Sequence, residues 1–397
     1  MIKTIKLKNF FSLASEEISF GDLNALVGIN GAGKSNLMKA LQVLKAVIND
    51  GEMSSLFINQ WGGFDAVMFL GNTDPKAFIQ IEFEFDPVVL GQYGYRFQEP
   101  VVYRIRFHKV ASSQNYYLCE SFHTKNADGM PNYRYLQIDN GRGFAKEGRT
   151  NDQQSVRYEL DNATESILNQ LVDKDRYYQI YTLREAIKDI AIYTYFNTTA
   201  TSAIRKPVLP GSINRLLPDG SNLPQVLNAI KVNDKQSYSK IKDALTAVNP
   251  NFRGLDFNFL GTSIELLLDE ASLNRAIHVT HISDGTLRYL CLLAIVFNPR
   301  RGRLVCIDEP EVGLHPDMLG ELMQAIGGVS NQTQYVVSTH SSLLLDQVPV
   351  SDVIVFEKDE YNRSVVRDFR DEEYVLWAKQ YGTGTLWRNG DLGGNRY

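Results

Sequence analysis

An α/β fold with a parallel core sheet is predicted by three observations. First, the apolar runs Leu23–Val27, Leu304–Ile307 and Tyr335–Ser338 lack polar alternation, as strands buried on both faces do. Second, each run ends in residues that carry chemistry: Gly28-Ile29-Asn30-Gly31-Ala32-Gly33-Lys34-Ser35, Asp308-Glu309-Pro310 and Thr339-His340-Ser341. Third, Leu37, Leu41, Leu44 and Ile48 recur at helical spacing after the first of them, as a strand–loop–helix unit requires.

Taken in order, Ile2–Phe10, Phe78–Phe85, Val101–Val110 and Tyr116–Phe122 carry strand signals and predict an antiparallel β-subdomain within an N-terminal lobe, 1–150. Residues 151–269 read as a compact, mainly helical insertion. Apolar spacing recurs in Ile167–Leu171, Leu183–Ile192 and Ile241–Val248, and Pro207, Pro210, Pro218 and Pro250 break it. There are no sustained heptads, so no long coiled coil is expected, and no internal repeat is seen. Residues 270–397 form the C-terminal lobe that completes the site.

Composition bounds the partners. The 397 residues, 44% hydrophobic and 22% charged, suffice for one elaborated domain or two. A net charge of -5 and a pI near 5.8 exclude a global basic field, so any contact with DNA needs a local patch or a partner. Lys174, Arg176, Lys188, Arg205 and Lys206 read as a solvated surface, with a nucleic-acid face as the alternative. Cys119, Cys291 and Cys306 are far apart and suggest neither a disulfide framework nor a zinc site. No run of 18 apolar residues and no signal-peptide pattern is present, so a cytoplasmic protein without a membrane partner is expected.

The glycine-rich run has the pattern G-x-x-x-x-G-K-[ST]. Its backbone N–H groups, at Asn30, Gly31, Ala32, Gly33 and on to Asn36, form a nest for phosphate oxygens at a helix N-terminus. Lys34 reaches the terminal phosphates and Ser35 offers its hydroxyl to Mg²⁺. Asp308 and Glu309 stand at the carboxyl end of a strand, where an open α/β sheet binds its ligand. Asp308 is expected to hold hydrated Mg²⁺ and Glu309 to orient the attacking water, so ATP hydrolysis is the predicted chemistry. His340, at the same edge, is placed to sense the γ-phosphate. Ser283 is a natural N-cap of a helix carrying Leu290, Cys291, Ala294 and Phe297 on one face.

The order of these parts resembles the ATP-binding-cassette ATPases, in their RecF/SMC-like branch. The resemblance implies that Ser283-Asp284-Gly285-Thr286-Leu287-Arg288 is the signature motif, whose Ser283 and Gly285 contact ATP held by another copy. Glu311–Pro316 is similar to the D-loop, Ser338–Ser341 to the switch-histidine region, and Leu7-Lys8-Asn9-Phe10 to the first strand and turn, placing Lys8 and Asn9 near the adenine. For the glutamine that joins Mg²⁺ to the accessory domain, Gln60 is the candidate and Gln80 its rival. Leu217–Leu223, Trp61–Asp65 and the tail Gly384–Gly394 further resemble bacterial stand-alone AAA-type ATPases of two-gene anti-phage modules. The tail by itself reads as a packed C-terminal turn.

The resemblance implies an ATP-sandwich dimer, or a higher oligomer, that senses nucleic acid or phage components. Its partner would be a nuclease-like or Toprim-type effector encoded beside it. A RecF-like DNA-repair ATPase is the alternative. A transporter subunit fits less well, because the signature would then lie nearer the phosphate loop. A vestigial ATPase site is disfavoured by the presence of Lys34, Ser35, Asp308, Glu309 and His340 together.

Overall fold

The computed structural model describes residues 1–111, 113–149 and 154–394. Strands β1 (Ile2–Phe10) and β2 (Leu13–Ser19) form the first hairpin, and β3 (Leu23–Gly28) leads through the glycine-rich loop into helix α1 (Lys34–Ala46). β4 (Phe78–Phe85), β5 (Val101–Lys109), β6 (Tyr116–Lys125), β7 (Pro131–Asp139), β8 (Arg142–Glu147) and β9 (Gln154–Glu159) follow. Then come α2 (Tyr178–Lys188), β10 (Ile190–Tyr193), α3 (Leu223–Asn233), α4 (Lys235–Val248), β11 (Phe252–Leu260), β12 (Ser263–Glu270) and β13 (Ile277–His278). The chain closes with α5 (Asp284–Val296), β14 (Leu304–Asp308), α6 (Pro316–Gly327), β15 (Gln334–Ser338), β16 (Val353–Lys358), β17 (Ser364–Asp368), α7 (Glu372–Tyr381) and α8 (Thr383–Asn389).

These make three sheets. An eight-stranded sheet runs β2-β1-β4-β5-β6-β7-β8-β9, with every neighbouring pair antiparallel. A six-stranded sheet runs β10-β14-β15-β3-β16-β17 and is parallel except for β17. A small antiparallel sheet joins β11, β12 and β13.

The six-stranded sheet lies between two apolar cores, which explains its unbroken apolar strands. Leu26, Cys306, Val336 and Phe356 point into one core, shared with α1 and the inner face of the eight-stranded sheet. Ala25, Val27, Val305, Ile307 and Val337 point into the other, shared with α3 to α6 and the small sheet. In the antiparallel sheet the alternation is that of a half-solvated surface: Ile79, Ile81, Phe83 and Phe85 are buried, while Phe78, Gln80 and Glu84 face outward.

Residues 151–269 carry more strand than the compact, mainly helical insertion expected of them. Helices α2, α3 and α4 are present, but the same stretch supplies β9 to the antiparallel sheet, β10 to the parallel one and β11–β12 to the third. Ile190 and Ile192, expected to continue a helix from Leu183, belong instead to β10. The helix stops at Lys188, and the following residues pair with Leu304–Ile307. Ile167–Leu171 gives only a single short turn, Ile167–Asn169. The expected boundary at 150/151 lies outside the described residues, and that at 269/270 falls within β12.

The tail is packed as expected. Leu386, Trp387 and Leu392 are buried, and the Gly394 carbonyl accepts the N–H of Ile29 in the glycine-rich loop at 2.9 Å. Cys291 and Cys306 are buried and all three cysteines are free. No helix among the described residues is long and apolar enough to cross a membrane.

Candidate nucleotide site

The carboxyl ends of β3, β14 and β15 lie side by side, with Leu26 opposite Ser338 and Ser338 opposite Asp308. This register brings the glycine-rich loop, the two carboxylates and His340 to one edge, as the sequence predicts. The loop begins at Gly28, whose positive φ (152°) and tight packing exclude a side chain: a Cβ there would stand 2.4 Å from the Phe356 carbonyl oxygen of β16. Gly33 is equally confined, at φ 116° with the Ser364 hydroxyl 2.5 Å from where its Cβ would be. Ile29, Asn30, Gly31 and Ser35 are exposed, and Ala32, Gly33 and Lys34 are buried.

Lys34 curls back over the loop, its Nζ donating to the carbonyls of Gly28 (2.7 Å) and Ile29 (3.2 Å). Burial lowers its pKa, and the carboxylates of Glu309, Asp308 and Glu311 act in the opposite direction. The buried cation attracts an anion, while the three carboxylates around it favour one that arrives with a cation of its own.

Asp308 and Glu309 are both held by Ser338, which is fully buried. The Ser338 hydroxyl donates to Asp308 Oδ1 and accepts the Glu309 backbone N–H at 3.1 Å, while the Ser338 carbonyl accepts the same N–H at 3.0 Å. Glu309 adopts a left-handed backbone, φ 47°, a conformation that costs of order 1 kcal/mol for a residue with a side chain. Ser338 thus fixes a strained turn that sends the two carboxylates in different directions. Burial raises the Asp308 pKa; the Ser338 hydrogen bond opposes this, the Glu309 charge adds to it, and Lys34 and His340 oppose it.

His340 Nε2 lies 3.4 Å from Glu309 Oε1. Its backbone N–H donates to Glu311 Oε1 at 2.7 Å, and the same oxygen accepts the Thr339 hydroxyl at 2.8 Å. Glu311 therefore ties the turn after β14 to the turn after β15. Its Oε2 is buried without a partner among the described residues.

Ser283 caps α5: its hydroxyl accepts the Thr286 N–H at 3.2 Å, and both Ser283 and Asp284 are exposed. Behind this helix start, the buried Arg205 donates to the carbonyls of Val279 (2.6 Å) and Ile282 (2.8 Å) and pairs with Asp284 at 2.7 Å. Arg205 is thus a brace inside the fold rather than a surface cation. Of the other cations expected at a surface, Arg176 pairs with Glu147 and Lys188 with Glu185.

The start of α5 also meets the turn after β14. A Cβ on Gly285 would stand 2.8 Å from the Gly313 carbonyl, and Arg288 donates to the Val312 carbonyl at 3.4 Å and to the Tyr195 hydroxyl at 3.1 Å. A hollow of about 160 Å³ lies between Tyr193, Thr194, Arg288, Asp308 and Glu309.

Asn9, Lys8 and Asn36 have partners of their own within the protein. Asn9 is buried with a left-handed backbone, donates to the Phe78 carbonyl and accepts from Asn72, so its side chain is used within the antiparallel sheet. Lys8 lies over the Phe78 ring. The hairpin reaches the loop through Ser12 instead, whose hydroxyl meets Ser364 at 2.5 Å and accepts the Asn36 amide at 2.8 Å. Asn36 is thereby turned toward the hairpin. Gln80 accepts from Arg106 on the outer face of the antiparallel sheet. Gln60 is exposed at the end of a π-helical segment, Ser55–Gln60, in a groove whose wall includes Tyr193 and Thr194, the residues that also wall the hollow beside Asp308.

Sequence reasoning left Ser338, Glu311 and Arg288 without individual roles. Glu311 stands two residues beyond Glu309, and Ser338 ends a strand beside Asp308, but only the strand register makes them partners.

A protein-family model described as "AAA domain, putative AbiEii toxin, Type IV TA system" matches residues 23–346. An ATP/GTP phosphatase of Helicobacter pylori is 22% identical over 401 residues, covering 96% of each chain. Among solved structures, an SmcHead bound to the C-winged helix domain of ScpA superposes with a TM-score of 0.59 at 13% identity, covering 93% of this chain and 98% of that one. A Pyrococcus furiosus Smc head domain with an extended coiled coil, bound to the C-terminal domain of ScpA, gives 0.58 at 12% identity, covering 96% and 99%. At these identities the structural likeness concerns the fold.

Proposed function

The chain belongs to the AAA-domain family that spans its residues 23–346 and is an ATPase with an SMC-head fold, and from that premise we propose that it is a nucleotide-driven switch governing a partner effector in anti-phage defence. The observation that carries this reading is the joining of Glu309, His340 and Glu311 at the sheet edge that also bears the glycine-rich loop, with the exposed Ser283 nearby in the fold but facing solvent.

In this reading the loop N–H groups and Lys34 bind the phosphates of ATP, and Glu309 orients and polarises the attacking water. The donor set suits Mg²⁺, which takes hard oxygen ligands and prefers one or two protein groups beside phosphate. Asp308 and the exposed Ser35 hydroxyl would hold it, with Gln60 at its margin, and the ion supplies charge neutralisation at the phosphates when bound. His340 faces the γ-phosphate from beside Glu309.

Ser283 and Gly285 have no such role within their own subunit. The free N–H groups at the start of α5 suit a phosphate bound by a second copy, so two chains enclose two ATP molecules. Loss of the γ-phosphate then weakens the interface, and the state of the dimer reports the state of the nucleotide. The effector reads that state.

The test is ATP hydrolysis measured together with solution mass, with Lys34→Ala and Glu309→Gln as comparisons. The expected outcome is turnover by the unsubstituted protein, none by Lys34→Ala, and an ATP-dependent dimer that persists in Glu309→Gln. Hydrolysis by a strictly monomeric protein would sink the switch, and undiminished hydrolysis by Glu309→Gln would remove that residue from its role.

A further inference from the structure

The outer face of the antiparallel sheet carries a row of rings that the nucleotide site does not use. Phe78 on β4 is the register partner of His108 on β5, and His108 is the partner of Tyr117 on β6, so the three side chains stand side by side opposite the core. Phe78 and His108 lie 5.2 Å apart between ring centroids, and His108 and Tyr117 stack at 5.1 Å with 10° between their planes. None of the three is buried.

Two cations close the row at its β1 end. Lys8 Nζ stands 5.1 Å from the Phe78 ring centroid, and the Arg106 guanidinium stands at 5.1 Å from the same ring while its Nε donates to Gln80. Among the described residues neither has a carboxylate within ion-pair distance. Their neighbours on this face differ: Arg104 is paired with Glu82, Lys6 with Glu17 and Lys125 with Glu84. At the opposite end Tyr117 walls an open hollow of about 760 Å³ with Asp139, Asn140, Arg142 and Leu160. Asp139 there accepts from Cys119, and Arg142 is paired with Glu159.

Cross-strand aromatic pairs stabilise any sheet, but that role does not call for two cations without carboxylate partners on the same face. His108 lies between Phe78 and Tyr117, and Lys8 and Arg106 stand over Phe78, so the open aromatic surface is Tyr117 beside the hollow and the ring edges along the row; with cations that lack carboxylate partners it is complementary to a polyanion whose bases are free to stack. A duplex keeps its bases stacked on one another and cannot offer them; a single strand can. We propose that the row from Lys8 and Arg106 through Phe78, His108 and Tyr117 is a platform for single-stranded nucleic acid, with a base stacked on Tyr117 at its open end, neighbouring bases along the ring edges and phosphates against the two cations.

The platform deepens the switch reading by naming what is sensed, and rests on it only for the coupling. Strand β1 carries Lys8 on the platform and continues through Asn9, pinned to the Phe78 carbonyl and Asn72, to Ser12 against the glycine-rich loop.

The experiment is fluorescence anisotropy of a labelled ~12-nucleotide oligothymidylate, a length within the site sizes of such platforms, with the full-length protein and no ATP. The matching RNA and a duplex of the same length run in parallel. Expected are binding of single strands at least tenfold tighter than of the duplex, and a loss of about fivefold or more in Tyr117→Ala and in His108→Ala. Tyr117→Trp, which keeps a ring, should retain affinity and so separates lost stacking from misfolding. Lys8→Ala should flatten the slope of log affinity against log salt by about 0.7.

Equal affinity for duplex and single strand, competition by polyphosphate as effective as by the oligonucleotide, full affinity in Tyr117→Ala, or no binding would each overturn the platform. A protein ligand for this face is what the last result would leave. Because ATP is absent from the assay, failure of the platform leaves the ATPase reading standing. A protein that binds the strand yet never dimerises with ATP sinks only the switch.

Discussion

Glu311 accepts the backbone N–H of His340 at 2.7 Å, and with that one bond the turn following β14 determines where the imidazole stands. The same carboxylate oxygen holds the Thr339 hydroxyl, so the peptide leading to His340 is fixed at two points. Glu309, 3.4 Å from the imidazole, is separated from Glu311 only by Pro310.

Glu311→Ala should therefore lower ATP turnover while leaving ATP binding in place. Hydrogen bonds to a charged group are worth about 1.5–3 kcal/mol, which sets the expected loss in turnover at roughly ten- to a hundredfold. Glu311→Gln keeps one acceptor and should lose less. Steady-state kinetics beside a nucleotide-binding titration tests this; equal losses of binding and turnover would show that Glu311 supports the loop instead.

Ser283→Arg places a bulky cation at the exposed start of α5. ATP binding by isolated subunits should be unchanged, and the ATP-dependent rise in mass should disappear, as read by light scattering behind a sizing column. A variant that dimerises and hydrolyses normally would end the model in which Ser283 serves a second copy.

Gly28→Ala should destabilise the whole protein rather than the site alone. The added Cβ would meet the Phe356 carbonyl at 2.4 Å, so β3 or β16 must shift. A cost of order 2–3 kcal/mol is expected, visible as a lower denaturant midpoint. An unchanged midpoint would mean that the sheet yields here without penalty.

His123 governs part of the acid stability. Burial pushes its pKa from 6.5 to about 4, and its Nδ1 has no partner among the described residues. Between these values the unfolded chain binds a proton that the folded chain refuses, so stability falls as pH drops from 6.5 toward 4 and is unaffected above that window. The loss amounts to about 2–3 kcal/mol at the acid end. His123→Phe should flatten the pH dependence of unfolding across the window, and a slope as steep as before would assign it to other groups.

What was legible in the sequence follows from where burial is two-sided. β3, β14 and β15 read as strands because both faces are buried and their residues are apolar apart from Asn24 and the strand ends. β1 and β4 were legible from their alternation, with the limits the structure gives them. β10 was not, because four apolar residues directly after an amphipathic helix satisfy helical spacing as well as strand pairing. β7 to β9 escaped notice because their exposed polar residues mask the pattern.

Lys34, Ser35, Asp308, Glu309 and His340 carry local motifs and meet at one sheet edge, and Ser283, named by its motif too, stands at the exposed start of α5. Ser338, Glu311 and Arg288 owe their contacts to register between strands and to a helix start seated on a turn, and no local pattern encodes that. Lys8 and Asn9 were named from the resemblance alone, without a local motif of their own. Ser12, through which the hairpin reaches the loop, stands beyond Phe10 and Phe11, while Lys8 and Asn9 are engaged at Phe78.

β3 lies between β15 and β16, so its two hydrogen-bonding partners are residues 334–338 and 353–358, more than 300 positions away in the chain. A nascent chain carries this apolar strand with both edges bare through most of synthesis, and such edges invite pairing with the wrong neighbour. Closing so long a loop also makes its pairing one of the slowest steps of assembly. The glycine-rich loop begins at the end of that strand, so its placement depends on segments more than 300 positions further along the chain.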